Sequence, residues 1–125
     1  MPFTDATTPI GALRDALRAF NRERDWARYH SPRNLAMALS TEAAELLELY
    51  LWSEDGQLPV AGRAPRVADE AADVLISLLN LCEAADVDLA AAVEAKLARN
   101  ARRYPVATAR GRLEKWDELP PEPEE

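Results

Sequence analysis

From Pro9 onward, apolar residues recur at intervals of three and four: Ile10, Leu13, Leu17 and Phe20, with alanines between them. That spacing lines one face of an α-helix, and Pro9, whose fixed φ suits a first helical turn, predicts where it starts. The helix is expected to end near Trp26–Arg28. Ser31-Pro32 is the next start signal, a side-chain cap followed by proline at the first helical position. The pattern it opens runs to about Trp52. Asp55-Gly56, Pro59 and Gly62 predict a loop up to Ala64. Pro65 restarts helix, and Val67 to Ala85 is apolar on almost every side. Such a helix packs against several neighbours or a partner subunit. Asp88 can cap a fourth helix, carrying Leu89, Val93 and Leu97, which Tyr104-Pro105 stops after about Arg103. Nothing repeats at a fixed period and no stretch reads as strand. The predicted fold is all-α: a four-helix bundle over residues 1–105 and an acidic, proline-rich tail over 106–125.

The second helix carries acids where a helix should be apolar. With Glu42 as zero on a wheel of about 100° per residue, Leu35, Ala38, Leu39, Leu46 and Leu49 fall within roughly 60° of it. Glu45 lies one turn on, at the edge of that stripe, whereas Glu48 points about 120° away and reads as a surface acid. The third helix repeats the anomaly, with Glu70 close to Val67, Val74 and Leu81 on the wheel and Asp73 three residues on. An arbitrary pair of acids at this spacing is usually a solvated helix face. Here both pairs sit in or beside apolar stripes, where an uncompensated carboxylate costs several kcal/mol or shifts its pKa. If the two helices pack side by side, four carboxylates converge and require a cation. Oxygen-only ligation suits a hard divalent ion, Mg²⁺ in the first place. A di-iron centre is a worse match: it needs Glu-x-x-His on two helices, and the single histidine, His30, is not at that spacing.

Charge narrows the partners. The net charge of −7 argues against a nucleic-acid polymer. Six acids against two bases from Arg112 to Glu125 account for −4 of it, leaving −3 for the rest, so an anionic small substrate fits if a cation bridges it. At 125 residues and 48% hydrophobic content the chain suits one globular domain. No apolar run reaches the ~20 residues of a membrane helix and no signal peptide is visible, which predicts a cytoplasmic protein. The single Cys82 falls in an apolar run and reads as packing.

Two weaker constellations remain. Lys96, Asn100 and Arg103 lie at i, i+4 and i+7 on one face of the fourth helix, and two cations with an amide between them suit a polyphosphate. Trp26 to His30 precede the second helix and Trp52 lies at its other end; aromatics around a cleft can stack a flat base, and His30 can hydrogen-bond or carry charge.

Taken in order, Glu23-Arg24-Asp25-Trp26, His30-Ser31-Pro32-Arg33-Asn34-Leu35, the Glu42/Glu45 helix ending in Trp52, Glu70-Ala71-Ala72-Asp73-Val74-Leu75-Ile76 and Lys96-x-x-x-Asn100-x-x-Arg103-Tyr104-Pro105 resemble the motifs of the MazG-like nucleotide pyrophosphohydrolases, nearest the dCTP pyrophosphatase type. The resemblance spans roughly Leu13 to Pro105. It implies an all-α fold completed by dimer or tetramer assembly. It also implies hydrolysis of a nucleoside triphosphate to monophosphate and pyrophosphate with Mg²⁺, for which Mn²⁺ can substitute. Carried over by position, Glu42, Glu45, Glu70 and Asp73 match metal ligands. Trp26, His30 and Trp52 match positions around base and sugar, and Lys96, Asn100 and Arg103 match positions near phosphates. Leu17 and Ser77 depart from the animal dCTP enzymes, which place a histidine and a tyrosine there; both departures concern the base pocket.

The reading is a house-cleaning pyrophosphohydrolase acting on dCTP or a modified nucleotide, with Glu45 taking the proton of the attacking water. Its competitors are a relative acting on dUTP or phosphoribosyl-ATP, and a non-catalytic helical adaptor whose acids pair across a subunit interface.

Overall fold

The computed structural model describes residues 2–124. Among them the chain forms five helices and no strand: α1 (Ile10–Glu23), α2 (Pro32–Glu48), α3 (Val67–Ala84), α4 (Leu89–Arg103) and the short α5 (Val106–Ala109). No helix of the described residues is long and apolar enough to cross a membrane. The chain divides into two compact units, Met1–Val87 and Asp88–Glu125.

The local signals act where the sequence places them. Ser31 accepts a hydrogen bond from Asn34 N at 3.1 Å, with Pro32 opening α2 behind it, and Asp88 accepts from Ala91 N at 3.0 Å to cap α4. Two helices are shorter than their periodicity suggests. α1 stops at Glu23 because Asp25 takes a left-handed turn (φ 53°) into a 3₁₀ turn at Ala27–Tyr29. α2 stops at Glu48, four residues before Trp52, because the following loop returns to its C-terminus. There Arg63 Nη1 donates to Glu48 O at 2.6 Å and Val60 N donates to Leu49 O at 2.9 Å. These donors satisfy carbonyls that another helical turn would have used.

In the first unit α2 and α3 form the main packed pair, and α1 lies against α3. Leu35 and Leu49 of the α2 segment and Leu79 and Cys82 of α3 are buried; Leu49 and Leu79 are 1% and 2% exposed. Leu75 and Ile76 on α3, and Met37 and Leu47 on α2, remain open, so the apolar circumference of α3 is only partly covered within the chain.

An ion-pair network joins α1 to the C-terminal end of α3. Arg14 Nη2 and Arg18 Nε lie 2.9 and 2.6 Å from the two carboxylate oxygens of Glu83, and Arg14 Nη1 donates to Val87 O at 2.7 Å. The hydrogen bonds from Arg18 and Arg14 hold the Glu83 carboxyl down to about 2, from an ordinary value of 4.5. A depressed folded-state pKa means stability present above the ordinary value and lost as pH falls from about 4.5 toward 2. Glu83 is 41% exposed, so solvent screening limits the network to about 1 kcal/mol. Glu83→Gln is expected to lower the melting temperature at neutral pH by about 2–4 °C and to flatten its fall below pH 4.5. Thermal melts over an acid series check this; parallel acid limbs in the two proteins would remove Glu83 from the account.

In the second unit Tyr104 ends α4, and Pro105 opens α5, whose Thr108 is buried. Arg103 stacks its guanidinium over the Trp116 ring, 5.0 Å from the centroid, a cation–π contact.

Candidate active site

Packing α2 against α3 brings Glu42, Glu45 and Glu70 together, with one carboxylate oxygen of each within 4.8 Å of the others. Glu70 is 7% exposed. Its Oε1 accepts from Arg66 Nη2 at 3.0 Å, but its Oε2 and Glu42 Oε2 are buried with no hydrogen-bond partner among the described residues. Buried polar atoms are nearly always satisfied, so two orphaned anionic oxygens in one cluster point to a missing positive ligand. The Glu45 carboxyl is pushed above the ordinary carboxylate range, first by the negative charge of Glu42, then by a hydrogen bond to it, by burial and by Glu70. Three convergent carboxylates with free, inward-facing oxygens fit a hard divalent cation. Arg66 was not among the residues singled out in the sequence, although its place four residues ahead of Glu70 was a readable signal. Asp73 lies one turn beyond Glu70, is exposed, and stands outside the three-carboxylate cluster.

One to two turns along the same helix pair lies a largely apolar cavity of about 350 Å³, walled by Leu17 and Phe20 of α1, Trp26, Leu35 of α2 and Ile76 of α3, with His30, Ser77, Asn21 and Asn80 as its polar members. Ala38, also on its wall, is one turn before Glu42, and Ser77 is two turns after Glu70. Cavity and cluster are therefore offset along the helices by roughly 6–10 Å at 1.5 Å per residue. The left-handed turn at Asp25 swings Trp26 back, where its N donates to Asn21 O at 3.0 Å and its ring meets Phe20 edge-on, 5.7 Å between centroids. Arg24 covers the Phe20 ring at 3.7 Å. His30 is half-buried at the entrance of α2. Leu17 and Ser77, the two departures from the animal dCTP pattern, both line this cavity.

Trp52 is elsewhere. It sits in the loop after α2 with φ 67° and is 92% exposed, beside an open pocket shared with Glu48, Arg63 and Arg66. A bulky residue in the left-handed region is strained, and this one gains no burial within the chain in return. In the second unit Lys96, Asn100 and Arg103 share one face of α4; Lys96 is exposed, Asn100 half-buried and Arg103 stacked on Trp116.

Comparison with known proteins gives the family. The MazG-like family model matches residues 37–119. Human dCTP pyrophosphatase 1 is 45% identical over 120 residues, covering 90% of this chain and 71% of its own, and the bovine protein of that name is 39% identical over 124 residues, covering 95% and 73%. The crystal structure of a pyrophosphatase from Archaeoglobus fulgidus superposes with a TM-score of 0.71 at 41% identity, covering 83% of this chain and 99% of that one. The chain belongs to the MazG-like family, and its relatives place it among that family's nucleoside triphosphate pyrophosphatases.

Proposed function

We propose that the protein is a Mg²⁺-dependent house-cleaning enzyme of the cytoplasm that hydrolyses dCTP, or a modified relative of it, to the monophosphate and pyrophosphate. The observation that carries this reading is the pairing of a carboxylate cluster holding two buried oxygens, unpartnered among the described residues, with a base-sized apolar cavity one to two turns away. That offset suits a nucleotide whose base fills the cavity while its α-phosphate reaches the acids. The two curated relatives named above are dCTP pyrophosphatases, which favours a cytosine nucleotide.

Glu42, Glu45 and Glu70 would hold the cation, and Asp73, between the cluster and Ser77 on α3, would complete the set. When bound, Mg²⁺ neutralises the triphosphate and acidifies a water, the tasks that divalent ions perform in phosphoryl hydrolysis. Mn²⁺ is the expected substitute. Glu45, at the edge of the apolar stripe of α2, accepts the proton of the attacking water. Trp26 and His30 line the cavity that takes the base; Trp52, which lies outside that cavity within one chain, would reach the base from a second copy of the chain. Lys96, Asn100 and Arg103, on one face of α4, are the candidate phosphate contacts that the family resemblance implies. The open apolar residues Leu75, Ile76, Met37 and Leu47 support assembly as a homodimer or homotetramer.

A panel of canonical and modified nucleotides with Mg²⁺, scored for pyrophosphate against orthophosphate, tests the reaction. Equal amounts of monophosphate and pyrophosphate are expected, with dCTP or a modified cytosine nucleotide preferred and with no turnover after chelation. Orthophosphate alone would mean cleavage at another bond, and a preference for dUTP or phosphoribosyl-ATP would replace the substrate.

A further inference from the structure

The walls of the cavity are mostly hydrocarbon and aromatic, and such surfaces grip any flat ring without telling one base from another. Discrimination has to come from its few polar groups. The largest hydrogen-bonding inventory among them belongs to a pair of side-chain amides: Asn21 on α1 and Asn80 on α3, where Asn21 Nδ2 donates to Asn80 Oδ1 at 3.0 Å.

We propose that the Asn21–Asn80 amide pair is a specificity-determining element that hydrogen-bonds the polar edge of the base in this cavity. The inference rests on reading the cavity as the base pocket. Each primary amide carries two donors and one acceptor with two lone pairs. The mutual bond uses one donor and one acceptor, leaving Asn21 Oδ1 and Asn80 Nδ2 without a side-chain hydrogen-bond partner among the described residues. Neither is among the buried orphaned atoms, so neither is sealed off, and both residues line the cavity. The bond between the amides also fixes both side chains before anything binds, which lowers the entropy lost on recognition.

A purely structural role is the competing explanation. Yet α1 and α3 are already clamped one turn away by Arg14 and Arg18 on Glu83, and a neutral amide pair adds little to that docking. An acceptor beside a donor complements a heterocycle that presents a donor next to an acceptor, as cytosine does through its 4-amino group and N3. A polar wall of this kind rejects rings without such an edge, because their binding would leave the amides desolvated and unpaired.

The test compares two substrates in the Mg²⁺-loaded enzyme: dCTP, and the deoxynucleoside triphosphate of difluorotoluene, a pyrimidine-shaped ring with no comparable hydrogen-bonding edge. Asn21→Ala and Asn80→Ala are each expected to lower kcat/KM for dCTP about tenfold, and to leave the difluorotoluene nucleotide within about twofold. The double variant should fall short of the product of the two losses, because the amides act as a unit. Asn80→Asp keeps the shape and removes the donor; it should lower the dCTP-to-difluorotoluene ratio even if the alanine variants fold poorly. Equal losses on both substrates, or an unchanged ratio in Asn80→Asp, would reduce the pair to an interhelical contact. Equal turnover of both substrates by the unmodified enzyme would overturn the inference and leave the enzyme reading standing. Failure to release pyrophosphate from any nucleotide would instead remove the reading beneath it.

Discussion

Glu42→Gln is expected to lower kcat/KM for pyrophosphate release by about a thousandfold, or ~4 kcal/mol of transition-state stabilisation, and at the same time to raise the melting temperature of the metal-free protein. The two effects have one cause. Glu42, Glu45 and Glu70 each place an oxygen within 4.8 Å of the others, and Glu42 Oε2 has no partner among the described residues. With no cation in place, like charges at that separation repel by on the order of 1–3 kcal/mol per pair near a protein surface. A glutamine keeps the shape, removes one negative charge and offers an N–H to its neighbours. Relieving its two pairs amounts to about 2–6 kcal/mol, so the metal-free variant should melt higher by at least about 4 °C. Mg²⁺ should raise the melting temperature of the unmodified protein, since a ligand of the folded state alone stabilises it, and should scarcely move that of the variant. Retained turnover would remove Glu42 from the metal set. A variant that melts lower when metal-free would mean that the carboxylate is held by something other than a missing cation.

Trp52→Gly should also separate stability from activity. The residue is held at φ 67° with its ring 92% exposed, a conformation glycine adopts without the Cβ penalty. Relief of that strain is expected to add about 1 kcal/mol of stability. If the ring is the wall against which the base stacks, its loss should lower kcat/KM by about 10–100-fold, in line with 1–3 kcal/mol for an aromatic–base stack. Calorimetric melts and steady-state kinetics on the same preparations check both halves. Unchanged kinetics would assign the ring to packing between subunits. Lower stability would show that the ring makes contacts in the assembled protein that one chain does not reveal.

The helices were legible because their signals are local. Ser31, Pro32 and Asp88 act on backbone groups within four residues of themselves, and the three-and-four spacing from Ile10 to Phe20 reports a period, whatever packs against it. The ends were less legible. α2 stops at Glu48 because Arg63 and Val60 return to its last carbonyls, and nothing within one turn of Glu48 announces residues twelve or more positions on. Among the acids, the wheel singled out Glu42 and Glu70 because a charge inside an apolar stripe is anomalous wherever the helix lies. It could not tell that Glu45 would join them while Asp73 stays outside the closest cluster; that depends on the rotation of α3 about its own axis.

The sequence by itself determined that this chain is helical, that its charges intrude on apolar faces at two places, and that its motifs follow the MazG-like order. Each follows from residue type and spacing along one segment. The tertiary structure decided which carboxylates meet, that Trp52 leaves the helix for a strained and open turn, and that Asn21 finds Asn80 across 59 positions. The meeting of the carboxylates belongs to the register between α2 and α3, whose Leu35, Leu49, Leu79 and Cys82 are buried, the turn at Trp52 to the returning loop that ends α2, and the amide pair to the docking of α1 on α3. A shift of one residue turns a helical side chain by about 100°, so the same acids in a different register would have faced water.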